Sequence, residues 1–395
     1  AMQNNTTGDT NTAIGNYSLK LNTTADNNTA VGYYALYTNT TGNRNTAIGE
    51  LALDANTTAS YNTAVGSKAA FGYDALTANT TGTDNVAVGS NALDANTTGN
   101  DNTAVGDNAA GANTTGANNT AIGSGSLLAN TEGTSNVAIG FVALTANTTA
   151  SNNTSVGYNS LDSNTTGSTN IAIGKSALQA NTTASDNIGI GGNALFTNTT
   201  GASNTVVGTS SMYYNTTGAS NTAVGFASLN ANTTGAKNTA VGMSALLANT
   251  TASNNIAIGY QTMKTTTTGG NNTAAGYQSM LLNTTGANNA AFGLYALLYN
   301  TTGSSNVAVG MSALQTNTTG AENTAVGRDA LKANTTGSYN TAVGYKVLIV
   351  NTTGHQNNAY GREAMLKNTT GAYNTGLGNQ ALQNNTTASN NVAVG

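Results

Sequence analysis

The chain has 395 residues, of which only 7% are charged, and its formal net charge is −4. It contains no Cys, so it has neither a disulfide framework nor thiol chemistry. No basic cluster could neutralise phosphates, and no apolar stretch approaches the roughly 18 residues of a membrane span. Nucleic-acid binding and direct membrane insertion are therefore not expected.

A seventeen-residue unit repeats along almost the whole chain. One copy opens with Asn221-Thr222-Ala223-Val224-Gly225, and Asn238 opens the next. We number the unit from position one, at Asn221, to position seventeen, at Lys237. Gly occupies position five from Gly15 to Gly66 and then at every seventeenth residue from Gly89 to Gly395, twenty-three times in all. Such a period is the signature of a solenoid, whose length counts copies rather than domains.

The first ten residues precede the array. We interpret Ala1-Met2 as a cloning remnant and the rest of residues 1–10 as part of an incomplete coil. Residues 11–395 are predicted to form a single continuous array with one six-residue insertion at 67–72, either a bulged loop or a short extra coil. Because the chain stops on the fifth position of a unit, we interpret it as a piece of a longer protein.

Positions one to five predict a β-strand. Positions two and four are mostly β-branched, as in Val86/Val88 and Ile171/Ile173, and position three is almost always Ala. The Asn-Gly and Asp-Gly pairs of tight hairpins are absent, which favours coils stacked in parallel. The predicted fold class is therefore all-β: a parallel β-solenoid (β-roll) of about 23 coils, rod-shaped and on the order of 110 Å long at about 4.8 Å per coil.

Three positions of the unit are invariant in type. Position five is always Gly, as in Gly15, Gly32, Gly225 and Gly242, which predicts either a positive φ or a neighbouring backbone that a Cβ would strike. Position one is always Asn, and position thirteen is always Thr. Stacked coils would place these residues in axial hydrogen-bonded ladders. The predicted ladder residues are Asn11, Asn28, Asn221, Asn238, Thr233 and Thr250.

Alternation along the strand predicts which side chains share a face. We expect the Val and Ile residues of positions two and four to point inwards, with Leu at position nine as a second inward anchor. Ala at position three would then form an outer column of methyl groups, which we interpret as a candidate subunit interface. The alternative is close packing within one wide coil.

The repeat resembles a known family. The pattern Asn-Thr-Ala-Val-Gly-x-x-Ala-Leu is similar to the head repeats of trimeric autotransporter adhesins, and the unit with Asn-Thr-Thr-Gly also looks like repeats of bacteriophage tail fibres. The resemblance implies three parallel β-rolls packed into an obligate homotrimer. It covers nearly the whole chain, but its motif is typical of an architecture rather than of an activity.

No constellation of catalytic residues is recognisable. His355 is the single His and lies at position sixteen beside a turn. Asp54, Asp94 and Asp162 share position ten, but acids do not recur there in successive coils as a calcium site requires. We expect no enzyme activity, no cofactor and no metal.

Asn at position twelve opens an N-glycosylation sequon in nearly every coil. The alternative, which we favour, is that Asn-Thr-Thr is simply the turn of the coil. Position six of the unit is apolar over six consecutive coils, which predicts an exposed stripe of side chains that contacts a partner. The alternatives are that these side chains fold back over the core or lie in a subunit interface. The stripe residues are Phe226, Met243, Tyr260, Tyr277, Leu294 and Met311.

Three functions are compatible with this pattern. The first is a structural or adhesive segment of an extracellular fibre, at a cell surface or on a virion, which self-associates as a homotrimer and contacts a host cell. The second is binding to ice or another crystal through the Thr and Asn columns. The third is a fibre that binds glycans or carries N-linked glycans.

Overall fold

The computed structural model describes residues 1–65 and 74–395. The insertion predicted at 67–72 lies outside the described residues. The chain divides into two compact units, Ala1–Thr200 and Gly201–Gly395. Each is built from the same short strand, repeated once per coil.

In the first unit the strands are β1 (Thr12–Ile14), β2 (Thr29–Val31), β3 (Thr46–Ile48), β4 (Thr63–Val65), β5 (Val86–Val88), β6 (Thr103–Val105), β7 (Thr120–Ile122), β8 (Val137–Ile139), β9 (Thr154–Val156), β10 (Ile171–Ile173) and β11 (Ile188–Ile190). In the second unit they are β12 (Thr205–Val207), β13 (Thr222–Val224), β14 (Thr239–Val241), β15 (Ile256–Ile258), β16 (Thr273–Ala275), β17 (Ala290–Phe292), β18 (Val307–Val309), β19 (Thr324–Val326), β20 (Thr341–Val343), β21 (Asn358–Tyr360), β22 (Thr375–Leu377) and β23 (Val392–Val394).

Neighbouring strands pair in parallel, with equivalent positions of successive units opposite each other. Thr222, Ala223 and Val224 pair with Thr239, Ala240 and Val241. The register is kept across the insertion, since Thr63 of β4 pairs with Val86 of β5. The predicted all-β parallel β-solenoid of about 23 coils is confirmed. The described ranges contain no helix, and so none that could span a bilayer.

The prediction of which strand side chains face inwards is wrong. Ala223 and Ala240, at position three, are completely buried, while positions two and four are half-buried or exposed. The predicted outer column of Ala methyl groups is therefore an inner column, and it is not a subunit interface. Leu229, at position nine, is buried as predicted.

The width of the coil explains the inversion. Where Gly189 replaces Ala at position three, a Cβ would lie 3.2 Å from Cγ of Leu178, the position-nine residue of the preceding coil. The Leu side chain therefore already fills the space opposite position three. A methyl group fits there in ordinary coils, and the larger Val and Ile side chains are accommodated on the outside.

Position five requires Gly for two reasons: its φ is positive, and a Cβ would strike the backbone of the next coil. Gly225 has a φ of 126°, and a Cβ there would lie 2.8 Å from the carbonyl oxygen of Gly242 in the next coil. The same holds at Gly15, Gly32 and Gly242, where the φ values are 126°, 139° and 133° and the nearest atoms again belong to the Gly of the next coil.

Three other positions adopt left-handed backbone without Gly. In the coil of β13 they are Ala227, Leu229 and Lys237, at positions seven, nine and seventeen, with φ of 51°, 51° and 57°. Each of their backbone N–H groups donates to a carbonyl of an adjacent coil: to Thr209, Ala245 and Ala219, at 3.1, 2.9 and 3.0 Å. Left-handed backbone costs an L-residue roughly 1–2 kcal/mol, so these bonds between coils hold the conformation in place.

Candidate functional site

The outward side of the strands is formed by positions two and four. Ile256 and Ile258 of β15 are 40% and 46% exposed, and Val307 and Val309 of β18 are 36% and 37% exposed. We call these two columns the strand face; it comprises the first and third residues of each strand. Most of its side chains are Thr, Val or Ile.

The strand face carries no charged residue. All eleven basic and all fifteen acidic residues lie at other positions of the chain. Neighbouring exposed positions do carry charge, for example Arg328 and Arg362 at position six and Asp101 at position seventeen. A partly exposed surface of Thr, Val and Ile without charge lacks the charged residues that are also depleted at the centre of protein interfaces.

The predicted contact stripe borders the strand face. Its six side chains are between 37% and 57% exposed, so each reaches the surface. The rings of Tyr260 and Tyr277 stack with their centroids 5.2 Å apart and their planes at 18°. Beside them, Nε2 of Gln278 donates to Oε1 of Gln261 at 2.9 Å. Equivalent side chains of adjacent coils therefore contact each other at Tyr260 and Tyr277. The stripe consists of Phe226, Met243, Tyr260, Tyr277, Leu294 and Met311.

The Asn column of position one lies inside the coil and bonds mainly to backbone. The N–H of Asn238 donates to Oδ1 of Asn221 at 2.9 Å, and Nδ2 of Asn238 donates to the carbonyl of Ala252 at 2.9 Å and to Oδ1 of Asn221 at 3.2 Å. Asn28 donates to Asn11 in the same way, from its N–H to Oδ1 at 2.9 Å.

The Thr column of position thirteen also bonds to backbone rather than between hydroxyl groups. The hydroxyl of Thr233 donates to the carbonyl of Thr250 at 3.0 Å, and that of Thr250 to the carbonyl of Thr267 at 3.3 Å. The Asn column of position one is thus buried, and the Thr hydroxyls of position thirteen donate hydrogen bonds to backbone carbonyls. These columns therefore do not offer an array of free polar groups to a crystal surface.

Position twelve forms a second Asn ladder, which the sequence had suggested only as a turn. Nδ2 of Asn232 donates to Oδ1 of Asn215 at 2.7 Å and to the carbonyl of Gly235 at 2.9 Å, and Nδ2 of Asn249 donates to Oδ1 of Asn232 at 2.8 Å. These side chains are completely buried. A folded coil therefore has no room for a glycan on this nitrogen. The sequence signal for this ladder was that position twelve is Asn in nearly every coil.

The acidic residues of position ten are only partly buried. Burial raises the pKa of Asp54, Asp94 and Asp162, and the charge of Asp74 raises the pKa of the first two further. Among the described residues, no group of three or more His, Cys, Asp or Glu side chains is arranged to hold a metal ion. The ring of His355 packs edge-on against Tyr373, with centroids 5.2 Å apart.

A tyrosine cluster in the first two coils was not anticipated. The ring of Tyr34 lies 4.5 Å from Tyr33, 4.6 Å from Tyr37 and 5.0 Å from Tyr17, centroid to centroid. Nζ of Lys20 lies 4.8 Å from the Tyr17 ring. Desolvation, followed by the proximity of Tyr33, raises the pKa of Tyr34. The cluster extends across adjacent coils and stabilises this end of the first unit by aromatic and cation–π contacts.

Neither a protein-family model nor a curated protein matches this chain. The similarity to adhesin heads and tail fibres therefore rests on the repeat pattern alone.

Proposed function

We propose that this chain is a structural segment of an extracellular fibre, at a cell surface or on a virion, whose copies associate as a homotrimer through the strand face. The observation that carries the proposal is the exclusion of charge from that exposed face in every coil. Charge occurs at positions six, seven, ten and seventeen, so it is not excluded from the exposed surface as a whole. The extracellular location and the number of copies follow the resemblance of the repeat.

The size of the strand face supports association. The second unit has twelve strands, and at a spacing of about 4.8 Å they form a column about 58 Å long and about 10 Å wide. This corresponds to roughly 580 Å² in that unit alone, and the eleven strands of the first unit add roughly 530 Å² by the same spacing. Each partner in a standard interface contributes roughly 600–1,000 Å², so the face of the second unit alone is close to the lower end of that range.

The mass of the particle in solution tests the proposal. Sedimentation equilibrium is expected to give three times the chain mass of 39.3 kDa. The double variant Val224→Asp/Val241→Asp places two charges on the strand face and is expected to be monomeric, because burying unpaired carboxylates is costly. The matched control Ser220→Asp/Asn254→Asp places the same charges at position seventeen, where Asp84 and Asp101 already occur. It is expected to keep the trimer mass. A monomeric unmodified chain contradicts the proposal.

Adsorption to ice or another crystal is a second candidate, and a specific observation favours it. The strand face is uncharged and repeats Thr and Val at regular intervals of about 4.8 Å along the stack. Thermal hysteresis of the unmodified chain, lost in Val224→Asp/Val241→Asp and kept in the position-seventeen control, is the expected result. No hysteresis at millimolar protein concentration excludes this candidate.

A further inference from the structure

The strand face of the second unit departs from Thr, Val and Ile at Asn358, Tyr360 and Leu377 and, earlier in the chain, around β16 and β17. Ala275 is the only Ala of the chain at position four, and Ala290 is the only Ala at position two. Between them on the same face lies Phe292, the only Phe of the position-four column. Ala275 pairs directly with Phe292 across β16 and β17, and Ala290 is two residues before Phe292 on the same strand. The three exceptions are therefore immediate neighbours.

The neighbouring residues form a projection beside two depressions. Phe292 is 41% exposed. Ala275 and Ala290 remain partly exposed although their side chains are single methyl groups, so the Phe292 ring does not cover either of them completely. Each Ala lacks the branch that Thr, Val or Ile provides in the same column of the adjacent coils, such as Ile258 and Val307. The strand face thus carries a projecting Phe ring next to two positions where the side chain is smaller than elsewhere in its column.

Stretches in which neighbouring coils carry identical outward residues cannot define how far one copy is shifted along another. In β19 and β20 the outward residues are Thr324 and Val326, then Thr341 and Val343. At these two coils a shift by one coil exchanges Thr for Thr and Val for Val, so a regular stretch of this kind packs alike in either register.

We propose that Phe292, with the depressions at Ala275 and Ala290, fixes the axial register between copies of this chain. The inference rests on the proposed association through the strand face. When copies are related by rotation about an axis parallel to the stack, equivalent coils lie at equal height, so Phe292 of one copy is level with Ala290 of the next and one coil from Ala275. A shift by one coil brings the ring of one copy level with Ala275, but it brings the ring of the other copy level with Val307 and Val309 and leaves Ala290 without a ring. Each mispacked contact should disfavour the shifted register roughly 5- to 150-fold.

Cross-linking measures the register, because the chain contains no Cys of its own. Thr341→Cys and Thr375→Cys lie on the strand face two coils apart, at the same position of β20 and β22. Chains carrying one or the other substitution are co-expressed, purified as assemblies and treated with a bifunctional thiol reagent of about 10 Å reach, the distance between packed sheets. Mass spectrometry then counts links between identical sites and mixed links, which join the thiol introduced by one substitution to the thiol introduced by the other.

The unmodified face is expected to give links between identical sites at least about fivefold more often than mixed links. The variant Phe292→Val/Ala275→Val/Ala290→Thr, which restores the residues found elsewhere in these columns, is expected to stay assembled and to give mixed links. The matched control Tyr360→Val/Asn358→Thr removes a projection that has no Ala beside it and is expected to keep links between identical sites.

The outcomes separate the two proposals. Mixed links in the unmodified chain, or only identical-site links in the Phe292 variant, overturn the register assignment while leaving association intact. An absence of any links, together with the mass of a single chain, overturns association through the strand face itself.

Discussion

Replacement of Thr266 by Asn tests whether the buried position-twelve ladder stabilises the solenoid. Thr266 is the only residue of this column that is not Asn, and it is completely buried. Oδ1 of Asn249, in the preceding coil, is buried and has no hydrogen-bond partner. On the other side, Nδ2 of Asn283 reaches the hydroxyl of Thr266 only at 3.4 Å. The variant Thr266→Asn supplies the missing amide donor and a better-placed acceptor.

The magnitude follows from the unpaired atom. A buried acceptor without a partner costs roughly 1–3 kcal/mol. Asn and Thr are similar in size, so the substitution introduces little strain. We therefore expect Thr266→Asn to raise the free energy of opening the coils next to Thr266 by about 1–3 kcal/mol. Since solenoid contacts join nearest neighbours, the effect should be confined to a few coils.

Amide hydrogen exchange with peptide resolution is the suitable assay, because a long repeat array need not unfold in one step. Exchange of the peptides covering residues 245–290 should slow roughly 5- to 150-fold, the equivalent of 1–3 kcal/mol. Thr251→Asn, at an exposed position fourteen in the adjacent coil, is the matched control and should change nothing. Asn232→Thr creates a second interruption and should accelerate exchange in its own coil by a similar factor.

Two results would refute this reasoning. Unchanged exchange in Thr266→Asn would mean that the unpaired Oδ1 of Asn249 costs nothing. Unchanged exchange in Asn232→Thr would mean that the position-twelve amide bonds do not hold neighbouring coils together.

Three further predictions concern other positions, each checked by the local free energy of opening from amide hydrogen exchange. Ala240→Leu overfills the space inside the coil and should cost about 1–3 kcal/mol, whereas Thr239→Leu on the outside should cost less; equal effects would contradict the inward placement of Ala. Gly242→Ala should destabilise by several kcal/mol, because its φ is 133° and the added Cβ would lie 2.7 Å from the carbonyl carbon of Gly259; a neutral effect would contradict that geometry. Burial raises the pKa of Asp54 and Asp94 above the ordinary 3.8. The protonated carboxyls therefore stabilise the fold, and this contribution is complete below the pKa of the unfolded chain. It is lost as the pH rises through the pKa of the folded state. Asp54→Asn/Asp94→Asn should therefore flatten the fall in stability over this pH range, and an unaltered pH profile would argue against the shifts.

The coil length, the position of the strand and the parallel stacking were predictable from the sequence. Invariant residues such as Asn221 and Gly225 recur at one spacing, and mostly β-branched residues flank a nearly constant Ala between them. Such recurrence acts within a single chain as a comparison of many related sequences. It identifies the positions that the fold constrains.

The direction of the strand side chains was not predictable in the same way. Alternation shows that Thr222 and Val224 share one side and that Ala223 lies on the other. Both sides are apolar, so the pattern alone does not say which one is inside. The choice depends on the width of the coil, which Leu229 of position nine and the buried Asn ladders determine.

The positions with left-handed backbone could not be predicted from the sequence for a different reason. Ala227, Leu229 and Lys237 are residue types that carry no signal for positive φ. The bonds between coils override the local preference, and the sequence of one unit contains no information about those bonds. The position-twelve Asn was misjudged similarly, because Asn-Thr-Thr is equally typical of a turn.

These left-handed residues also constrain how the chain folds. Within one coil, the N–H groups of Ala227 and Lys237 bond backwards to the preceding coil, and that of Leu229 bonds forwards to the following one. A lone coil has neither partner, so the first contact between coils is an unfavourable nucleus, comparable to the first turn of a helix. Each completed coil then provides a template for the next, and growth requires only the local closure of one unit at a time. Folding should therefore show slow initiation followed by rapid propagation along the axis, with Thr266 as the step at which propagation slows.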